Sequence, residues 1–269
     1  MAWWKAWSEA EGKSVTGALN FDPAPDAQAL YKAMKGLGTD EQAIIDVLTK
    51  RSNMQRQQIA KSYKAQFGKD LIECLKCELC GSFESLIVAL MYSPFKYDAK
   101  ELYDAMKGER DNATLYVDTA LALQDAEALY AAGEKIKGTD EMQFITILCS
   151  RSATHLLKVF EEYQKLSGKS IEDSIKSETN GSLEDAMLAI VKCTRSVHCY
   201  FAERLYNALK GSGTRDGTLT RVIVSRSEVD LNLIKAEFKH IAGKSLSSMI
   251  TDDTSGDYKT ALLNLCGSD

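Results

Sequence analysis

Apolar residues fall at helical spacing in three places along the chain. Ala27, Leu30, Tyr31 and Met34 stand at i, i+3, i+4 and i+7, and Ala202, Leu205, Tyr206 and Leu209 repeat the set. Ala126, Leu129, Tyr130 and Gly133 repeat it again, with a glycine in last place. At 3.6 residues per turn these positions share one face, so each set predicts an amphipathic α-helix. After a short break a second helical pattern follows: Ala43, Ile44, Val47 and Leu48 in one stretch, Phe144, Ile145 and Leu148 in another. Thr39 and Gln42 have capping-box spacing for the start of that helix. Pro25-Asp26 suits the opening of the first. The alternation expected of strands is weak throughout, so the chain is predicted to be all-α.

The breaks repeat as well. Gly38-Thr39-Asp40, Arg51-Ser52, Gly68-Lys69, Glu78 and Gly81 align without gaps with Gly138-Thr139-Asp140, Arg151-Ser152, Gly168-Lys169, Glu178 and Gly181. They align again with Gly213-Thr214-Arg215, Arg226-Ser227, Gly243-Lys244, Asp253 and Gly256. The offsets are constant at 100 and then 75, and each acid stands 40 positions after the glycine of its Gly-Thr pair. Three matches in register define an internal repeat of about five short helices over roughly 70 residues. A further copy starts and stops. Ala99, Leu102, Tyr103 and Met106 carry the stripe, but Arg110 and Asp111 stand where Gly-Thr is due. The space before the next copy is too short for a whole unit, so about 45–60 residues are expected to be missing there. Glu109 to Leu123 then reads as a connector, with Tyr116, Val117, Leu121 and Leu123 as its packing residues.

Composition narrows the function. With 45% hydrophobic and 26% charged residues the chain has a globular profile. No apolar run reaches the roughly 18–20 residues of a spanning helix, and the N-terminus lacks the form of a secretory signal. Seven cysteines without an export signal predict reduced thiols in the cytoplasm. A net charge of −5 excludes a basic nucleic-acid footprint and a polybasic lipid patch. Phosphate groups would have to be met through a bridging cation.

Met34-Lys-Gly-Leu-Gly-Thr39 offers such a bridge. Two glycines two apart allow a tight turn to aim several carbonyl oxygens at one point, and a carboxylate from a distant helix closes the cage. Carbonyls, one carboxylate and water suit Ca²⁺, a hard ion with about 6–8 oxygen ligands. The plainer reading is a helix-linking turn beside an ordinary surface acid. The same register in three loops favours the metal.

Lys35-Gly-Leu-Gly-Thr-Asp-Glu41 with Glu78, Lys137-Gly-Thr-Asp-Glu141 with Glu178, and Lys210-Gly-Ser-Gly-Thr214 with Asp253 resemble the calcium loops of the annexins, and the resemblance covers nearly the whole chain. It implies an all-α array of five-helix repeats, here three full repeats plus a one-helix remnant. The division expected is a tail at 1–20, repeat 1 at 21–93, the remnant of repeat 2 and a connector at 94–123, repeat 3 at 124–196 and repeat 4 at 197–269. The implied Ca²⁺ ligands are Met34, Gly36 and Gly38 with Glu78, Gly133, Ile136 and Gly138 with Glu178, and Leu209, Gly211 and Gly213 with Asp253. The implied function is non-enzymatic, calcium-dependent docking on anionic phospholipid. Roles in covering lipid against coagulation or phospholipase A2 and in endosome organisation come with it. Such a protein is cytoplasmic and becomes peripheral on membranes when calcium is high.

Two departures qualify the resemblance. Annexins have four repeats whose second and third pack together, so the third is expected to expose apolar surface that invites a protein partner or self-association. A protein-interaction scaffold is therefore the alternative reading. One partition left open sets the first repeat apart from the last two. The second departure is Arg215, where the other loops have Asp40 and Asp140.

Other signals are discounted. Cys74, Cys77 and Cys80 spell C-x-x-C-x-x-C without a fourth ligand, and their spacing drifts off one helix face, so zinc is not expected. Gly-Lys-Ser at Gly12, Gly168 and Gly243 lacks the glycine a P-loop needs; the last two read as helix-start turns. Arg51, Arg151 and Arg226 are expected in buried ion pairs rather than on lipid. Trp3, Trp4 and Trp7 suit either a membrane interface or a folded tail. No residues nominate a nucleophile–base pair.

Overall fold

The computed structural model describes residues 12–36, 38–92, 117–133, 140–211 and 213–268. Among them fifteen helices make three five-helix repeats. The first comprises α1 (Pro23–Ala33), α2 (Glu41–Leu48), α3 (Asn53–Phe67), α4 (Leu71–Glu78) and α5 (Gly81–Met91). The next comprises α6 (Thr119–Gly133), α7 (Glu141–Ser150), α8 (Ala153–Ser167), α9 (Ile171–Glu178) and α10 (Gly181–Arg195). The last comprises α11 (Val197–Leu209), α12 (Asp216–Arg226), α13 (Leu231–Ala242), α14 (Leu246–Asp253) and α15 (Gly256–Cys266). The tryptophans and the stub around Tyr103 lie outside the described residues. Leu121 and Leu123 belong to α6 rather than to a connector.

Local chemistry sets the helix ends. Ser52 caps α3 in a full capping box with Gln55, and Ser152 caps α8 by accepting from the His155 N–H. Gly68, Gly168 and Gly243 end the third helix of their repeats at φ 71°, 71° and 69°. This left-handed position suits glycine, because a Cβ would crowd the following carbonyl. These glycines therefore stop one helix, and the next begins with Asp70, Ser170 or Ser245, each accepting a backbone N–H. Two sequence expectations shift. α1 opens at Pro23 under an Asp22 cap, not at Pro25-Asp26. α2 is capped by Asp40, whose carboxylate accepts the Ala43 N–H at 3.0 Å, and not by Thr39.

Inside each repeat the stripe is fully enclosed at its alanine and leucine, Ala27, Leu30, Ala126, Leu129, Ala202 and Leu205, while Tyr31, Met34, Tyr130 and Tyr206 are only half-buried. The arginines are ion-paired. Arg51 holds Asp26 at 2.6 Å and Arg151 holds Asp125 at 2.7 Å, with His155 Nε2 2.8 Å from the same Asp125 carboxylate. In the last repeat Phe201 stands where those acids stand. Arg226 lies over its ring at 4.7 Å and pairs instead with Asp230, one turn further along the chain.

The chain divides into two compact units, Met1–Tyr97 with Phe201–Asp269, and Asp98–Tyr200. The first holds the first and last repeats around one hydrophobic core. Across it α5 packs on α12, α2 packs on α15, and α5 meets α15. Arg56 and Glu228 bridge the two repeats at 2.6 Å, and Ser82 Oγ donates to Asp216 Oδ2 at 2.7 Å. The second unit has its own core, from Ala122 to Val191. The first repeat is thus joined to the last, which replaces a partition of the first from the last two.

Candidate functional site

The first and second helices of each repeat are joined by a loop closed in one way. The Asp40 N–H donates to the Ala33 carbonyl at 2.9 Å, Asp140 to Ala132 at 3.0 Å, and Arg215 to Ala208 at 2.9 Å. In the first loop Gly36 and Gly38 sit at φ 128° and 90°, and in the last Gly211 and Gly213 sit at 116° and 124°. A Cβ on any of these four would meet no atom beyond its chain neighbours within 4 Å. Glycine is required there by backbone conformation, not by space, and the loops stand open.

The fourth helix of each repeat brings the acid to the loop. Glu78 ends α4, and its Oε2 accepts the Thr39 hydroxyl at 3.1 Å. Met34, Gly36 and Glu78 line one cleft of about 520 Å³ with Lys35, Asp70 and Glu73. In the last repeat Asp253 ends α14, and its main-chain oxygen accepts the Thr214 hydroxyl at 3.1 Å. In the middle repeat Ile136 and Gly138 lie outside the described residues. Its loop is one residue longer between the closing groups. Gly133 and Glu178 meet at its entrance, since a Cβ on Gly133 would lie 3.7 Å from Glu178 Cγ.

Loop lysines take a repeated place. Lys35 Nζ lies 5.5 Å from the Tyr31 ring centroid and Lys210 Nζ 5.4 Å from that of Tyr206. This cation–π contact gives the ammonium a station on the stripe tyrosine. Sequence reasoning missed it, although the constant four-residue spacing from tyrosine to lysine signals it. It also missed Thr39 and Thr214, which tie the first and last loops to their acid-bearing helices.

At the first loop the carboxylates of Asp70, Glu73 and Glu78 share the cleft with the Cys74 and Cys77 thiols. Among the described residues no three His, Cys, Asp or Glu side chains gather as a metal cluster. Cys74, Cys77 and Cys80 remain thiols. Carbonyls on a turn open to solvent, with an exposed carboxylate hydrogen-bonded to that turn, fit a hard cation that keeps part of its shell for other ligands.

The annexin family model matches residues 25–90, 124–190 and 200–265. The chain belongs to the annexin family. Annexin A8 of Bos taurus is 62% identical, with all of both chains covered. That alignment runs over 326 positions, 57 more than this annexin has residues. A solved structure of an annexin A8 variant superposes with a TM-score of 0.86 at 60% identity, covering 96% of this chain and 98% of that one. A calcium-bound annexin (Sm)1 structure matches with a TM-score of 0.75 at 26% identity, covering 95% and 93%. Annexins bind phospholipid membranes in a calcium-dependent manner, and Ca²⁺ is the ligand of the family. Among the described residues no helix is long and apolar enough to cross a membrane.

Proposed function

We propose that this annexin docks on anionic phospholipid through Ca²⁺ held between its repeat loops and lipid headgroups. The main-chain oxygens of Met34, Gly36 and Gly38 with the Glu78 carboxylate would hold one ion. Gly133, Ile136 and Gly138 with Glu178 would hold a second, and Leu209, Gly211 and Gly213 with Asp253 a third. The ion supplies the positive charge that a chain of net charge −5 lacks when it faces lipid phosphate. The observation that carries the reading is the Thr39–Glu78 hydrogen bond at 3.1 Å, which sets an exposed carboxylate against an open glycine turn. Such sites are individually weak, and several on one protein gain by multivalency.

The role is binding rather than catalysis. Covering anionic lipid would withhold it from coagulation enzymes and phospholipase A2, and docking on endosomes would organise their membranes. The protein then moves between cytoplasm and membrane with calcium. The family model leaves 91–123 unmatched, which supports placing the 57-position shortfall in the second repeat. One fewer calcium loop should raise the calcium needed for docking above that of a four-repeat relative on the same vesicles.

The test is sedimentation with phosphatidylserine vesicles across a calcium titration, beside a variant carrying Glu78→Gln, Glu178→Gln and Asp253→Asn. Calcium-dependent pelleting that the variant loses is the expected result. Pelleting that survives in the variant, or no pelleting by the folded chain, overturns the reading. A second reading, a helical scaffold for protein partners, is favoured by one observation: Ile145, Leu183 and Ile190 are only half-buried where their counterparts Ile45, Phe83 and Leu90 are buried.

A further inference from the structure

The second and fifth helices of the repeat carry a face that covers itself when two repeats meet. In the unit of the first and last repeats, α5 lies on α12 and α2 on α15, fifth helix on second helix in both directions, with α5 against α15 between them. Ile45, Leu86, Leu90, Ala261 and Leu265 are fully buried there, and Phe83 and Tyr258 nearly so. The same positions in the Asp98–Tyr200 unit are less covered: Ile145, Leu183 and Ile190 are only half-buried and Ala186 is exposed.

We propose that this face, on α7 and α10, pairs with the same face of a second copy of the chain. The partner's chemistry follows from the repeat: the surface that fits a second-and-fifth-helix face is another such face. Polar groups agree. Across the first unit Ser82 Oγ donates to Asp216 Oδ2 at 2.7 Å. The matching residues are Ser182 and Glu141, again a hydroxyl and a carboxylate, so two copies related by a two-fold axis could make this bond twice. A self-complementary patch of this kind closes as a dimer instead of growing into a filament. One anchor is absent. The buried Arg56–Glu228 bridge corresponds to Leu156 and Ala153, so the dimer dissociates on dilution more readily than the first unit separates.

The inference is independent of the calcium reading and is tested without calcium. The full chain is run in sedimentation velocity over a wide concentration range, beside Ala186→Arg, Leu183→Glu and Met54→Glu. The first two substitutions fall on positions of the face whose counterparts, Leu86 with Ala261 and Phe83 with Tyr258, are buried in the first unit. Met54, 73% exposed on α3 in the other unit, is the control. The expected result is a monomer–dimer equilibrium that Met54→Glu keeps and that Ala186→Arg and Leu183→Glu shift to monomer by tenfold or more, with unchanged melting curves at concentrations where the wild type is monomeric. A wild-type chain that stays monomeric at every concentration overturns the proposal. So does a dimer that both face variants leave intact, which would place self-association on another surface. Higher oligomers that Ala186→Arg leaves unchanged would count against it equally.

Discussion

In the unit of the first and last repeats, Ile45, Leu90 and Leu265 are wholly enclosed; at the matching positions of the Asp98–Tyr200 unit, Ile145 and Ile190 are only half-buried. Deeper in each repeat the difference vanishes. Leu48, Leu148 and Ile223 are fully buried alike, as are Leu75, Ile175 and Ile250. A repeat therefore completes its own interior from its five helices, and its second-and-fifth-helix face is completed only by a neighbour. This is the separation of an intrinsic term from a nearest-neighbour term that governs stacked repeats. It also separates what substitutions should do in the two units.

The largest contrast is expected at Arg56. Its guanidinium is almost fully buried and donates to the carbonyls of Leu90 at 2.9 Å, Leu48 at 3.0 Å and Arg51, and to Glu228 at 2.6 Å. Burial pushes its pKa down while the Glu228 charge pushes back. Arg56→Met removes the guanidinium from three carbonyls and from Glu228, which keeps the Asn53 N–H but loses its buried countercharge, and should cost about 3–5 kcal/mol. The other unit has Leu156 at this place, so the loss should be confined to one unit. Denaturant unfolding followed by hydrogen exchange resolves the two units. An equal loss of protection in both would break the separation.

Next come paired truncations. Leu90→Ala removes a fully buried side chain and should cost about 2–5 kcal/mol. Ile190→Ala, at the matching half-buried place, should cost about 1 kcal/mol because less apolar area leaves water on folding. Equal costs at low protein concentration would mean that the second face is covered after all.

The helical spacing of Ala27, Leu30 and Tyr31 and the constant register of Gly-Thr and acid were enough to read the five-helix repeat, because both are local in sequence. The loops were legible for the same reason, since a Gly-x-Gly turn and a helix-ending acid are each set by a few neighbouring residues. Pairing of repeats was not. Whether Ile45 and Ile145 share a fate depends on a surface more than a hundred residues away in the chain. The cap was misplaced by one residue, because Thr39 and Asp40 both have cap chemistry. The structure gives the cap to Asp40 and turns the Thr39 hydroxyl toward Glu78.

A smaller contrast is expected in acid. Burial pushes the Asp125 carboxyl up, but hydrogen bonds and charge from Arg151 and His155 outweigh it and hold the pKa below the ordinary 3.8. Glu172 is likewise raised by burial and lowered further by Arg195, ending below 4.5. A carboxylate depressed in the folded state stabilises it above the unfolded pKa, and that contribution fades as pH falls through the folded value. Both groups are in the Asp98–Tyr200 unit, which should therefore lose protection below about pH 4. Asp125→Asn should lower its stability at neutral pH and flatten its acid response. Hydrogen exchange between pH 6 and pH 3 reads both.

The smallest effect concerns the three loops. Asp40, Asp140 and Arg215 hold the N-cap place with nearly one backbone geometry, φ −91°, −87° and −84°. The two aspartates accept the Ala43 and Gln143 N–H groups at 3.0 and 3.3 Å, whereas Arg215 makes no side-chain cap bond. The chain therefore keeps the turn without the cap, which shows that the turn is held by its own Arg215–Ala208 closing bond. Arg215→Asp should supply the missing acceptor and place negative charge at the α12 N-terminus, adding about 1 kcal/mol. Thermal unfolding in chelator measures that gain free of calcium. The same substitution removes a positive charge beside Gly213. If the loop takes its ion through carbonyls and Asp253, the calcium midpoint for vesicle binding should fall; if Arg215 instead meets lipid phosphate directly, that midpoint should rise although the folded chain has become more stable.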